Sequence, residues 1–336
     1  MISDRTKRNL KRTLESSLLA KVGAAILIVM FLAALFAPVV APHNPTQQVL
    51  EKKNQPPVGM NKSFTTSEFV VNGTETERVT NTTYKQGTWD RPLGADPLGR
   101  GIFSRLLYGA RTSLLVGIIG SGLGAAIGAV VGLFSGYHGG KVDDLLMRSV
   151  DVALALPGLV LAITVIGIVG PLAITVPDPF VLFGLAPEMP PTFTIPGTVT
   201  IVIAIVSWEE FARLARGEGL SIRETDYIKA ARSIGVSDTS IIRTHMIPNA
   251  ITPILILWTL GIGRAILLES TLSFLGFSGT TLSWGYDIAV GREYLATSWW
   301  VATMPGIAIM LTVIGTNLVG DWLRDALDPN LDVESL

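Results

Sequence analysis

The sequence predicts an all-α integral membrane protein with six transmembrane helices and a polar extracytoplasmic insert. Hydrophobic residues make up 49% of the 336 residues and charged residues only 16%, whereas soluble domains carry about 25% charged residues. The apolar residues are concentrated in six segments, and the positive charges lie in alternate connections between those segments. Much of the surface is therefore expected to face lipid rather than water.

The six apolar segments are the predicted transmembrane helices. They cover residues 22–41, 113–136, 152–170, 198–208 with its flanks, 252–272 and 299–320. A helix needs about 20 apolar residues to cross a bilayer. The fourth segment is the shortest, because a Pro-rich stretch precedes it and Glu209 and Glu210 follow it.

The distribution of Lys and Arg predicts the orientation of these helices. Residues 1–21 carry six, residues 137–151 two and residues 209–250 six, whereas residues 171–197 carry none and residues 273–298 only Arg292. Because Lys and Arg are enriched in cytoplasmic connections, both termini are predicted to be cytoplasmic. A signal peptide would have a shorter apolar region followed by a small-residue cleavage site, so residues 22–41 are interpreted as a retained helix.

The predicted organisation follows from these spans. It comprises a cytoplasmic tail (1–21), a first transmembrane helix (22–41), an extracytoplasmic loop with an interfacial helix (42–111), a core domain with five transmembrane helices (112–320) and a cytoplasmic tail (321–336). The core domain includes a cytoplasmic loop, residues 209–250. Residues 43–92 are polar and without hydrophobic periodicity, and we interpret them as a solvated cap or flexible insert. Asn61, Asn72 and Asn81 begin triplets of the glycosylation type, which leaves modification as an alternative.

Residues 224–250 form a polar island between two apolar spans and predict two short helices. Tyr227, Ala230, Ala231 and Ile234 recur at the spacing of one helical face. Gly235 is expected to adopt the left-handed conformation that ends a helix. A compact unit with small alanines on its face is suited to being held by another protein.

A second helix is predicted after the glycine. Ser237 is its expected N-cap, with Asp238 in the first turn. Its apolar side would consist of Ile241, Ile242, His245 and Met246, and Pro248 is expected to end the pattern where the next span begins.

This loop resembles the cytoplasmic coupling loop of ATP-binding cassette (ABC) importer permeases. The family pattern is Glu-Ala-Ala, three residues, Gly, and a hydrophobic run ending in Leu-Pro. Here it stands as Lys229-Ala230-Ala231, then Gly235, then Ile247-Pro248, with Lys229 in place of the glutamate. The resemblance implies that ATPase contacts are made by Asp226, Tyr227, Ala230, Ala231, Arg232, Gly235, Ser237 and Pro248.

Other signatures are similar to those of peptide-type permeases. They are Asp96, residues 98–100, Ser104-Arg105 and residues 108–111, then residues 270–277, Pro305-Gly306, Asn317-Leu318, Gly320-Asp321 and residues 323–329. Gly101 replaces the usual aspartate. The resemblance covers residues 21–331 and points to the C-type subunit of dipeptide and oligopeptide importers, a family that also includes nickel permeases.

The resemblance carries further implications for fold and partners. It implies a type I ABC importer permease fold in the cell membrane, a homologous B-type permease subunit, two ABC ATPase subunits and an extracytoplasmic solute-binding protein. ATP and magnesium would bind to the ATPase subunits, and this chain would bind no cofactor, metal or nucleic acid and would have no catalytic residue. Imported nickel or another small solute, instead of a peptide, remains an alternative.

Two further features are candidate functional elements. Gly120, Gly124, Gly128, Gly132 and Gly136 recur at every fourth position of the second span, which predicts a flat seam for close helix packing, within the subunit or against a partner.

Arg264 and Glu269 are ionisable residues inside the fifth span, where charges usually face a cavity or one another. They would line the translocation pathway or form a link to a partner subunit. Alternatively, Glu269 would lie near the outer interface and meet water.

Several other functions are disfavoured by the residues. The chain has no cysteine, and its three histidines match no metal-ligand spacing. Gly139-Gly140-Lys141 resembles the end of a phosphate-binding loop, but that motif needs Gly and Ser or Thr where the chain has Ser135 and Val142. A secondary transporter would need paired broken helices in inverted repeats, and none is evident. A membrane-bound envelope enzyme would need a nucleophile–base set, which the external segment lacks.

Overall fold

The computed structural model describes residues 12–72 and 75–327. Its helices are α1 (Leu18–Leu35), α2 (Ala37–Val40), α3 (Ile102–His138), α4 (Gly140–Ala155), α5 (Gly158–Val169), α6 (Pro179–Leu182), α7 (Gly197–Arg223), α8 (Asp226–Ser233), α9 (Asp238–Ile241), α10 (Ile247–Phe274), α11 (Trp284–Gly291), α12 (Leu295–Ser298) and α13 (Trp300–Leu327). A π-helical turn, Ile242–Met246, joins α9 to α10, and 3₁₀ turns lie at Leu50–Lys52 and Arg292–Tyr294.

Two two-stranded antiparallel sheets accompany the helices. Their strands are β1 (Asn61–Asn72) with β2 (Glu75–Gln86), and β3 (Ala173–Pro177) with β4 (Thr192–Pro196). The chain is thus mostly helical, but the expectation of an all-α fold is wrong for these two hairpins.

Four helical segments in the described part of the chain are long and apolar enough to cross a membrane. They are Leu18–Leu35, Ile102–His138, Asp238–Phe274 and Trp300–Leu327. Helices α4 and α5 make a fifth candidate if they count as one span, although they are bent by 92°. The predicted fourth span lies in α7, which carries Glu209, Glu210, Arg213 and Arg216 in its second half and falls outside this set.

Helix α3 is the central element, and it is longer than predicted. The expected interfacial helix at its start and the second span form one continuous helix of 37 residues. Helix α7 lies along α3, α10 packs against both, and α13 packs against α1 and α10. The tightest of these pairings is α3 with α7, because glycines line the contact.

The polar segment 43–92 contains a hairpin, although the absence of periodicity predicted a solvated cap or flexible insert. Strands β1 and β2 pair along their whole length, from Asn61 opposite Gln86 to Asn72 opposite Glu75. The backbone N–H of Gly87 donates to the carbonyl of Met60 at 2.8 Å and closes the base of the hairpin. Many of the strand residues are Thr and Val, which favour strands although the pattern lacks an apolar face.

The hairpin rests on the N-terminal end of α13. The ammonium of Lys62 donates to the carbonyl oxygen of Ala296 at 3.3 Å and lies 5.5 Å from the ring of Trp300. Phe64 packs beside the buried Trp300. The first of the three predicted glycosylation triplets begins at Asn61, which is exposed at the start of β1.

Candidate functional site

Helix α8 ends at a glycine, as the sequence predicted. Gly235 has a φ of +81°. Its N–H donates to the carbonyl of Arg232, and the N–H of Val236 donates to the carbonyl of Ala231. These two bonds form a Schellman motif, in which a left-handed residue closes the last turn of the helix. Gly235 therefore sets the angle between α8 and the segment that follows.

The inner face of this loop is anchored in an apolar cluster. Ile228 of α8, Ile241 of α9 and Met246 of the π-helical turn are fully buried. They pack with Leu133 of α3 and Phe211 of α7 in one cluster. The predicted apolar side of the second helix is thus confirmed, and the loop is fixed to α3 and α7.

The outer face of α8 is exposed. Tyr227 is 46% exposed and Ile234 81% exposed, and Ala230 is exposed while Ala231 is half-buried. This is the face that the sequence predicted for α8. It lies opposite Ile228, and no part of the described chain covers it. Asp226 and Arg232 are exposed on the same short helix.

Ser237 and Pro248 differ in part from their predicted roles. Ser237 occupies the N-cap position of α9, but its side chain makes no capping hydrogen bond. Pro248 does not end a helix, since the helical run continues from Asp238 to Phe274. The π-helical turn directly before it shifts the bonding by one residue, with the N–H of Ile247 donating to the carbonyl of Ile242. A proline in the first turn that follows needs no N–H donor.

The five glycines of the predicted seam are buried along α3. All of them face the backbone of α7, from Thr200 near its N-terminal end to Leu220 near its C-terminal end. A Cβ atom at Gly132 would lie 2.2 Å from the carbonyl oxygen of Ala212. The seam therefore packs within this chain, and its lack of side chains lets α3 and α7 approach backbone to backbone.

Arg264 and Glu269 do not contact each other, and each has different partners. Arg264 forms an ion pair with Glu210 of α7, with Nη1 at 2.6 Å from Oε1, and the two side chains are 52% and 43% exposed. They stand in a cleft of about 160 Å³ between α3, α7 and α10. The cleft, called here the central cleft, is further lined by Ser121, Ser207, Phe211, Gly261 and Leu268.

Glu269 lies away from this cleft and is completely buried. Its carboxylate accepts hydrogen bonds from Ser113 of α3 at 3.0 Å and from Ser273 of α10 at 2.6 Å. The alternative that Glu269 simply meets water at the outer interface is wrong. Glu269 does not line the cleft in this conformation, and it connects α10 to α3.

Two buried ion pairs are formed by arginines near the N-terminal end of α3. The Nε of Arg105 of α3 donates to Asp287 of α11 at 3.0 Å, and Nη1 donates to the carbonyl of Pro45 at 3.2 Å. Burial raises the pKa of the Asp287 carboxyl, and Arg105 opposes that rise. Arg111 of α3 pairs with Asp178 beside the second hairpin. Arg105 and Arg111 thus have structural partners.

Some residues of the site were not found from the sequence. Glu210 was noted only as a charge that follows the fourth span, and Tyr137 of α3 was not singled out. Tyr137 contacts both Arg232 and Asp238 of the loop. Both assignments depend on contacts between helices far apart in the chain, which no local pattern reveals.

The comparisons with known proteins agree with this arrangement. Residues 128–333, which include most of the seam, the loop and most of the central cleft, match the family described as the inner membrane component of binding-protein-dependent transport systems. Residues 12–57 match the N-terminal transmembrane domain of oligopeptide transport permease C. The chain belongs to this permease family.

Relatives match the permease over nearly its whole length. It is 34% identical over 319 residues to a putative peptide transport system permease protein of Brucella suis, covering 94% of this chain and 88% of that protein. It is 32% identical over 318 residues to the probable D,D-dipeptide transport system permease protein DdpC of Escherichia coli, covering 94% and 89%. The MetNI methionine ABC transporter in an inward-facing conformation matches with a TM-score of 0.49 and 16% identity, over 67% of this chain and 97% of that chain.

The family assignment places the permease in the inner membrane as a multi-pass protein. It also agrees with the sequence signatures, which had pointed to the C-type permeases.

Proposed function

We propose that this chain is the permease subunit of an ATP-driven importer of di- and oligopeptides. It would form half of the translocation pathway and bind the ATPase subunits through residues 226–249. The observation that carries the proposal is the two-sided loop: Ile228, Ile241 and Met246 anchor it inside, while Tyr227 and Ile234 are exposed. The names of the relatives support a peptide as the solute.

The exposed face of α8 is the proposed ATPase contact. Asp226, Tyr227, Ala230 and Arg232 project from this short helix, Ala231 lies at its edge, and Gly235, Ser237 and Pro248 shape the segment that follows. Exposed apolar groups rimmed by charges are typical of protein interfaces. Movement of the ATPase subunits would push an anchored loop as a rigid body, and the attached helices would move with it.

The proposal includes the partners and the orientation. A homologous B-type permease would supply the other half of the pathway, two ABC ATPase subunits would bind ATP and magnesium, and an extracytoplasmic binding protein would deliver the solute. This chain would bind no cofactor and carry out no catalysis. Its termini would be cytoplasmic, and α7 together with the bent pair α4 and α5 would complete six membrane spans.

Affinity purification of the tagged chain from its native membrane in mild detergent tests the assembly. We expect mass spectrometry to identify two ABC ATPase subunits and a homologous permease. Uptake of a radiolabelled dipeptide should be lost when this chain is deleted and restored when it is returned. A chain that is recovered alone after cross-linking, with uptake unaffected by its deletion, would contradict the proposal.

A further inference from the structure

The structure contains a charged pair in the central cleft whose role the family assignment does not define. We propose that Arg264 and Glu210 form a subsite that contacts the charged ends of the peptide as it passes. Arg264 would bind the terminal carboxylate, and Glu210 the terminal ammonium group. This inference rests on the proposed function, since it requires a peptide as the solute.

The position of the pair places it deep in the membrane-spanning region. Arg264 lies ten residues before Phe274, the last residue of α10, which corresponds to about 15 Å along a helix. Glu210 lies thirteen residues after Gly197, the first residue of α7, or about 20 Å. A hydrocarbon core is about 30 Å thick, so both charges lie within it when these helix ends are at the membrane surface.

The exposure of the pair limits what it can face. The side chains of Arg264 and Glu210 are about half exposed, and ionised groups at this depth cannot face lipid tails without a large penalty. A structural ion pair between two helices would be expected to be enclosed, as Arg105 and Asp287 are, with 3% and 2% exposure. The half-exposed pair therefore faces either water in a pathway or another subunit across that pathway.

The walls of the central cleft also suit a peptide. Phe211, Leu268 and Gly261 provide apolar surface and open space beside the charges. The hydroxyl of Ser207 is buried and has no hydrogen-bond partner in the described part of the chain. That oxygen lies 2.2 Å from the position of a Cβ at Gly124 of α3, so it belongs to the packing of α3 against α7 and not to the peptide subsite.

The chemistry of the pair matches the two ends of a zwitterion. A guanidinium binds a carboxylate through two parallel hydrogen bonds, and a carboxylate binds an ammonium group. A free peptide can therefore exchange partners with the existing pair, so that no charge is left without a counter-ion during passage. A peptide with one blocked end would leave Arg264 or Glu210 with only its original partner and gain nothing from the exchange.

The test crosses protein variants with substrate variants. Uptake rates at low concentration are measured for a dipeptide, its C-terminal amide and its N-acetyl derivative, in cells whose other peptide importers are deleted. The preference for the free carboxylate over the amide is then compared between wild type and Arg264→Gln. The binding protein contributes equally to the preference measured in wild type and in Arg264→Gln. Its contribution therefore cancels when the one preference is divided by the other.

We expect Arg264→Gln to reduce the preference for the free carboxylate by about tenfold or more and to leave the preference for the free amine unchanged. Glu210→Gln should do the reverse. The double variant, Arg264→Gln with Glu210→Gln, should lose both preferences while leaving no unpaired charge behind. Arg213→Gln is the matched control, because Arg213 lies on α7 in an exposed ion pair with Asp151 and should alter neither preference.

A labelling experiment on the purified complex reports occupancy without transport. Leu268 lines the central cleft one turn from Arg264, and the chain has no cysteine of its own, so Leu268→Cys introduces a single thiol. Dipeptide should slow maleimide labelling of this chain, and the slowing should disappear in Arg264→Gln. Labelling that is insensitive to the dipeptide in both would overturn the inference.

The outcomes separate this inference from the proposed function. If wild type imports none of the three peptides, the proposed function fails and the inference with it. If wild type imports the dipeptide but the variants lower all three rates by one common factor, or change none, the pair is structural and only the inference is overturned.

Discussion

The hydroxyl of Tyr137, at the C-terminal end of α3, donates a hydrogen bond to the carboxylate of Asp238, the first residue of α9. Arg232 of α8 donates to the same hydroxyl at 3.2 Å, and its guanidinium lies 4.3 Å from the ring centre. Both helices of the loop are therefore tied to one side chain of α3. Because α3 packs along α7 through its glycine seam, a displacement of the loop has a direct route into the membrane helices.

Removing this hydroxyl should weaken the connection without unfolding the protein. The ring of Tyr137 is buried, and Tyr137→Phe preserves its packing while removing bonds to two charged groups, each worth about 1.5–3 kcal/mol. We expect normal abundance in the membrane and a severalfold lower uptake rate, measured with labelled dipeptide. Tyr84→Phe, at a residue 82% exposed on β2, is the control. Equal uptake in the two variants would show that the contact does not transmit movement.

The effect on transport of replacing Gly235 should depend on the backbone conformation that the new residue tolerates, and not on the volume of its side chain. No atom lies within 4 Å of the position of a Cβ at Gly235, but a φ of +81° costs a β-branched residue about 1–3 kcal/mol. Gly235→Val should therefore uncouple transport, so that uptake is lost while the chain remains at normal abundance. Gly235→Asn, which tolerates the left-handed region, should keep most of the uptake. Full uptake in Gly235→Val would exclude this loop as the coupler.

Adding a single methyl group to the glycine seam should destabilise the chain. A Cβ at Gly132 would lie 2.2 Å from the carbonyl oxygen of Ala212, so Gly132→Ala forces α3 and α7 apart and should destabilise the chain by about 1–3 kcal/mol. At Gly122 on the same helix the nearest atom would lie at 3.5 Å, in the ring of Trp258. Gly122→Ala should therefore be tolerated. The aggregation temperatures of the two variants in detergent measure the difference in stability. Equal temperatures for Gly132→Ala and Gly122→Ala would show that the seam is loosely packed.

The abundance of the folded chain should depend on Arg105 and Asp287 being present together. Replacing one partner leaves the other charge buried and uncompensated, which costs about 3–5 kcal/mol. Asp287→Asn and Arg105→Met should each reduce abundance, measured by immunoblot of membranes. The double variant, Arg105→Met with Asp287→Leu, removes both charges and should recover part of the loss. If Asp287→Asn is mild and the double variant is as low as Arg105→Met, the bond of Arg105 to the carbonyl of Pro45 dominates and the ion pair does not.

Local signals allowed part of the site to be predicted from the sequence. The left-handed glycine at 235, the N-cap position of Ser237 and the alanine face of α8 all depend on residues a few positions apart, and backbone preference acts over that range. Local patterns do not predict the continuation of the helix through Pro248, because it runs through a π-helical turn, Ile242–Met246. The insert hairpin was missed because its strands present no alternating apolar face.

The sequence by itself determined that this chain is a multi-pass membrane protein, where its main apolar helices lie and to which permease family its motifs belong. Composition and short-range spacing are sufficient for those conclusions, because lipid and backbone geometry impose them locally. Only the tertiary structure decided that Arg264 faces Glu210, that Glu269 is enclosed by serines, and that Tyr137 joins both loop helices. Each of these depends on which helices become neighbours, a choice made by the packing of the whole chain.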